Sequence, residues 1–209
     1  MSSTMQSRAA NPAYDPLKVR LSGVTIAYAE QVTKPKAFQA GQEPKYSASF
    51  IAWGPRALDM NAQVEAAITA AATAKWGEDR KRWPRLRGLH KEPLVKAVSD
   101  FPAMMSDPPA GAVFVRAGST EAPGVVDAQG HPLIKQEVEG MLFSGWVVNV
   151  TMRCFAYEQA TGAGVSLGLG NLQLVRPGKR LGGRASAQSE FGPVSDEDLA
   201  EDGEDNPYA

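Results

Sequence analysis

The feature that most constrains this chain is SGWVVNVTMRCFAYEQATGAGVSLGLGNLQLV, residues 144–175, in which two period-two patterns follow one another across a glycine-rich turn. Successive side chains of a β-strand point to opposite faces, so such a pattern sorts itself into two rows. Trp146, Val148, Val150, Met152, Cys154 and Ala156 make an apolar row, and Val147, Asn149, Thr151, Arg153, Phe155 and Tyr157 make the opposing one. The first is a core face. The second sets a cation beside two rings on the polar side of a strand, where rings must pack under a loop or meet a partner.

Beyond a turn placed at residues 158–163, Val165, Leu167 and Leu169 form one row and Ser166, Gly168 and Gly170 the other, which is almost bare of side chains. The apolar row then slips near Asn171 to Leu172 and Leu174, as a bulge at Gly170 would produce. Paired antiparallel, the two strands lay glycine surface beside Arg153, Phe155 and Tyr157. That combination suits flat, negatively charged ligands that stack on rings, such as the nucleotides of an open strand. In the competing reading the glycines are curvature points of a small barrel and the rings cover a hydrophobic seam.

The rest of the chain supplies three more strand patterns and a helix. Leu17–Val32 alternates through Leu17, Val19 and Leu21, then shifts at Gly23 to Val24, Ile26 and Tyr28, as a long strand bent by a mid-strand glycine would. Lys45–Trp53 reads as a half-buried strand and Gly111–Ser119 as another, with Val113 and Val115 opposite Phe114 and Arg116. Alanine-rich residues 59–76 form the helix, with Asp59 as N-cap and Met60, Val64, Ala67, Ile68 and Ala71 along one stripe. Residues 120–140 read as loop. Five strands and one prominent helix predict a mainly β fold: a five-stranded Greek-key barrel of the OB type. The usual OB helix follows the third strand, whereas this one follows the second.

Charge narrows the function. All 22 Lys and Arg but only 16 of the 23 Asp and Glu fall in residues 1–194, a net of +6, while residues 195–209 hold seven acidic groups and no basic one. A basic body with a separate acidic tail points to a polyanionic partner, although such tails also serve as solubilisers. Between residues 76 and 96 basic side chains surround Trp76 and Trp83, a mixture that favours nucleic acid through charge and stacking; Trp83 packed on the core is the alternative. The candidate binding residues are Lys18, Arg20, Lys34, Lys36, Lys45, Arg82, Trp83, Arg85, Arg116, Arg153, Phe155 and Tyr157.

Other functions find no support. The single cysteine, Cys154, lies on the core row, which rules out disulfide and zinc frameworks. His90 and His131 have no carboxylate or cysteine at ligand spacing, so no metal site is expected, and Glu137 with Glu139 reads as an exposed pair rather than an acid and base couple. There is no phosphate-cradling loop, nucleophile elbow or triad pattern, so neither catalytic residues nor cofactors are expected. No signal peptide or bilayer-spanning run is visible, which predicts a soluble, intracellular protein without membrane partners.

Several ordered segments resemble a known family. They are KVRLSGVTIAYAEQVTKPKAF, PKYSASFIAW, AGSTEAPGVVDAQGHPL, and SGWVVNVTMRCFAY running into GAGVSLGLGNLQLVRPGKRLGGR, with Phe191 shortly after. Over residues 17–191 these are similar to phage-encoded single-stranded DNA-binding proteins, a family formerly described as a domain of unknown function. The chain departs from that pattern in a longer basic stretch at 76–96 and in APGVVD, where a basic residue often precedes the proline. The resemblance implies an OB fold that coats single-stranded DNA without sequence preference in phage replication, recombination or repair, in the cytoplasm of a bacterial host. It also implies that the acidic tail, through Asp205, Pro207 and Tyr208, recruits replication or recombination proteins. The expected organisation is a flexible arm at 1–16, the DNA-binding domain at 17–191 with its basic insertion, and a disordered acidic tail at 192–209. The second reading is an adapter module that docks proteins through the aromatic face and the tail. Oligomeric state is left open, a homodimer included.

Overall fold

The two period-two patterns fold as one hairpin. In the computed structural model, which describes residues 15–37 and 41–182, β6 (Val147–Gln159) pairs antiparallel with β7 (Gly162–Arg176) around a turn of only Ala160 and Thr161. The turn is tighter than residues 158–163, because alternation continues to Gln159 and resumes at Gly162, whose φ of 130° suits glycine alone. Val150 pairs Leu172 and Met152 pairs Leu169, so one residue of β6 faces two of β7 and the bulge lies at Gly170 and Asn171.

Around the hairpin stand β1 (Lys18–Ala27), β2 (Tyr46–Ala52), β3 (Lys96–Ala97), β4 (Val113–Ser119) and β5 (Val125–Val126). With β6 and β7 they form one seven-stranded sheet in the order β3-β4-β2-β1-β6-β7-β5, and β4 also pairs with β7. That extra pairing, parallel at Gly118 and Gly168, joins β4, β2, β1, β6 and β7 into a ring. The five expected strands are therefore the ring, and the sheet has seven strands rather than five. The additional pair, β3 and β5, are two residues each and fall in segments that read as loop.

Inside the ring Val19, Leu21, Phe50, Val115, Met152 and Leu167 are almost fully buried and meet one face of α1 (Pro55–Trp76). The stripe Met60, Val64, Ala67, Ile68 and Ala71 is buried as its spacing predicts. The helix begins a turn earlier than Asp59, because Pro55 is preorganised for a first helical turn. The Asp59 carboxylate instead accepts from the Gln63 amide one turn on, at 2.9 and 3.0 Å. A second helix, α2 (Lys135–Met141), forms where loop is expected; Glu137 closes its start by accepting from the Ile134 backbone N–H at 2.8 Å.

Two strand expectations are corrected. β1 stops at Ala27 rather than Val32, because Tyr28 turns into the left-handed region at φ 58° and starts a 3-10 turn over Ala29–Val32. The bend at Gly23 is present, with φ 64° and a register shift between Leu21 and Val24. β2 is buried on both faces rather than one. Its inner row joins the main core, while Ile51 on the outer face packs with Phe114, Val98, Met104 and Ala112 under the segment that leads into β4.

Candidate nucleic-acid interface

The outer face of the ring carries the side chains that the core does not use. Strand register places Lys18 beside Arg153, Arg153 beside Gly168, and Gly168 beside Gly118. Two residues along, Phe155 stands opposite Ser166, and Ser49 opposite Arg116. A row further, Tyr157 faces Gly164, where a Cβ would come within 2.4 Å of the phenol oxygen. Bare glycine backbone on two strands, β4 and β7, thus lies beside the cations and rings of this face. Phe155 is 46% exposed, and its ring lies 6.5 Å from that of Tyr157, tilted by 51°.

The cations differ in their freedom to meet a polyanion. Arg153 is exposed but ion-paired to Asp15, whose carboxyl is held below its ordinary value chiefly by the Leu17 backbone N–H and further by the Arg153 guanidinium. Arg116 is exposed, lies over the Tyr28 ring with its guanidinium 5.8 Å from the centroid, and donates to Gln31 Oε1 at 3.3 Å. Partial desolvation pushes its pKa down, although a guanidinium stays charged. Arg20 pairs in register with Thr151 and lines a separate hollow with Asn149, Asn171 and Gln173.

Arg116 and Tyr157 meet in a cavity of about 280 Å3 that opens beside Ser166 and also draws in Tyr28, Ser49, Glu92 and Phe101. Lys96 lies 5.7 Å from the Phe101 centroid, and Phe101 packs edge-on against Phe114 at 5.0 Å. Tyr28, Ser49 and Phe101 are not among the residues expected from sequence. Tyr28 reads as one more member of the apolar row, and Phe101 comes from a proline-rich connection without periodicity. The profile of the family described as "Enterobacter phage Enc34, ssDNA-binding protein" matches residues 17–203.

The chain belongs to the Enc34 single-stranded DNA-binding protein family. No curated protein matches it. Among solved structures, the single-stranded DNA-binding protein from bacteriophage Enc34 in complex with ssDNA aligns with a TM-score of 0.65 at 18% identity, over 79% of this chain and 90% of that one. The same phage's protein in a structure described without DNA aligns with a TM-score of 0.63 at 16% identity, over 83% and 89%. At these identities the likeness is one of fold, and it is that of a mainly β, Enc34-type protein.

Other expected site residues lie outside the register pairs just described in this Enc34-family fold. Trp83 is half-buried against the main core, its indole N–H donates to Gly77 O at 2.8 Å, and the Arg80 guanidinium lies 5.5 Å from its ring centroid. Arg82 pairs with Asp79 at 3.3 Å. Arg85 is exposed and lines a hollow at the β6–β7 turn with Arg87 and Lys91. Lys36 and Lys45 exchange backbone hydrogen bonds at 3.0 and 3.1 Å; Lys45 continues the parity of Ser47 and Ser49, while Lys34 caps the 3-10 turn through its backbone N–H. Asp205, Pro207 and Tyr208 lie outside the described residues.

The histidine expectation needs one correction. Sequence spacing leaves His131 without a carboxylate neighbour, but the 127–131 turn brings Asp127 Oδ2 to 3.0 Å of its Nδ1. Asp127 spends its other oxygen on the backbone N–H groups of Gln129 and His131, which is turn closure. The Cys154 thiol is pushed up to about 11 by burial, which removes it as a nucleophile.

Proposed function

We propose that this protein coats single-stranded DNA without reading its sequence, in the replication, recombination or repair of a phage genome. The observation that carries the reading is the outer row of Lys18, Arg153, Phe155 and Tyr157 with bare Gly168 and Gly118 beside them. Cations there meet phosphates, rings meet bases, and the glycines let the strand approach the backbone. Phosphates and base faces are common to every sequence, so affinity built on them is sequence-neutral. Family membership supports the same partner.

In this reading the ring is an OB-type barrel. Its pairing order and the β4–β7 closure suit that fold, and α2, which follows the third ring strand, occupies the usual place of the OB helix. Residues 17–191 are the DNA-binding domain, with 1–16 as an arm and 192–209 as an acidic tail that recruits replication or recombination proteins. The chemistry is binding rather than catalysis.

Titration of labelled oligonucleotides at two salt concentrations tests the proposal. Single strands should bind more tightly than duplex, and log affinity should fall against log salt with a slope of about −0.7 per phosphate neutralised. Equal affinity for duplex and single strands, or binding indifferent to salt, would reject it in favour of a protein-docking role for the aromatic face.

A further inference from the structure

The cavity beside Ser166 has three properties that a seam between loops does not need. The Ser49 hydroxyl on its wall is buried and has no hydrogen-bond partner, although buried polar atoms are almost always satisfied. Two non-glycine residues among those described have positive φ, Tyr28 at 58° and Glu92 at 51°, and both line this cavity. Backbone held in that region is strained and concentrates at ligand-binding sites. Third, its rings stand next to a guanidinium, Arg116, which offers donors only.

We propose that this cavity is a slot for one nucleobase turned out of the bound strand. The inference rests on the single-stranded DNA reading and adds to it one point at which a base leaves the path and is held edge-on by the protein. At about 280 Å3 the space is at the small end of ligand pockets, suited to one base and not to two. Tyr28, Phe101 and Tyr157 supply apolar walls for a flat ring. Arg87, paired with Glu92 at 2.8 Å, Lys96 and Arg116 share the lining, so cations stand where the phosphate of the nucleotide whose base enters would lie. Every base has an edge acceptor for Arg116, a carbonyl oxygen or, in adenine, a ring nitrogen, and leaves the neighbouring edge atom for the Ser49 hydroxyl, which can donate or accept.

Ser49→Ala separates this role from a structural one, because it removes an unsatisfied hydroxyl. The full-length variant should melt at or above the wild-type temperature. Its affinity for oligothymidylate should fall by roughly three- to tenfold, while its affinity for a base-free strand of equal length, built of tetrahydrofuran abasic units, should stay within about twofold. Equal losses on the two oligonucleotides, or no loss on either, would overturn the slot and leave general single-strand binding standing. Failure of the wild-type protein to bind either oligonucleotide would overturn the parent reading as well. Should Ser49→Ala not fold, the unaltered protein irradiated with an oligonucleotide containing 4-thiothymidine decides the matter. Adducts on Tyr28, Phe101 or Tyr157 support the slot, and adducts confined to other peptides reject it.

Discussion

Asp15 occupies the place on Arg153 that a phosphate would take in the proposed complex, and the two must compete. Arg153 is 61% and Asp15 32% exposed, so solvent screens the pair and it adds little to stability. Asp15→Asn should therefore leave the melting temperature nearly unchanged, raise single-strand affinity and steepen its salt dependence, as titration at two salts would read. Phe155 and Tyr157 lie opposite the buried row, and their loss should spare the fold: Phe155→Ala or Tyr157→Ala should cost roughly 1–3 kcal/mol of binding if the ring stacks on a base. Val150, 1% exposed on the inner face, behaves the other way. Val150→Ala should lower stability by roughly 1.5–3 kcal/mol in denaturant melts, with the affinity of the folded fraction preserved. Ring variants that melt early yet bind normally would reverse the assignment of faces.

Glycines of β7 separate two demands on one element. At Gly170 a Cβ would lie 2.7 Å from the Thr151 carbonyl oxygen, so Gly170→Ala must push the bulge apart and should cost roughly 1–3 kcal/mol of stability. At Gly168 the nearest atom is Arg153 O at 3.5 Å, an ordinary contact, so Gly168→Ala should melt like the parent. This hairpin was legible in the sequence because a long strand with one buried face repeats every two residues, and a slip in the repeat marks its bulge. β3 and β5 were not, since two residues cannot display a period, and they form only because β4 and β7 offer them an edge. β2 reads as half-buried because its outer cover, around Met104 and Ala112, arrives from a segment some fifty residues later. The site divides in the same way. Arg153, Phe155 and Tyr157 follow from alternation, whereas Tyr28 depends on a left-handed turn and Phe101 on where a loop lands.

At the scale of the molecule, charge is split along the chain: +6 in residues 1–194 and seven carboxylates after them. We expect the tail to compete with DNA for the cationic face, since both are polyanions seeking one surface. Ending the chain at Val194 should tighten single-strand binding at low salt, lose most of that gain at high salt, and abolish recruitment of a polymerase or helicase. Unchanged low-salt affinity would leave the tail as a solubiliser. The ring itself closes where Gly118 meets Gly168, between strands far apart in the chain. A contact of that span is slow to form, because the intervening chain must lose its freedom before the pairing rewards it. A ribosome must therefore release the chain through Gly168 before the ring can shut, and until β7 emerges the nascent chain holds β4 and β6 with edges open to any other strand.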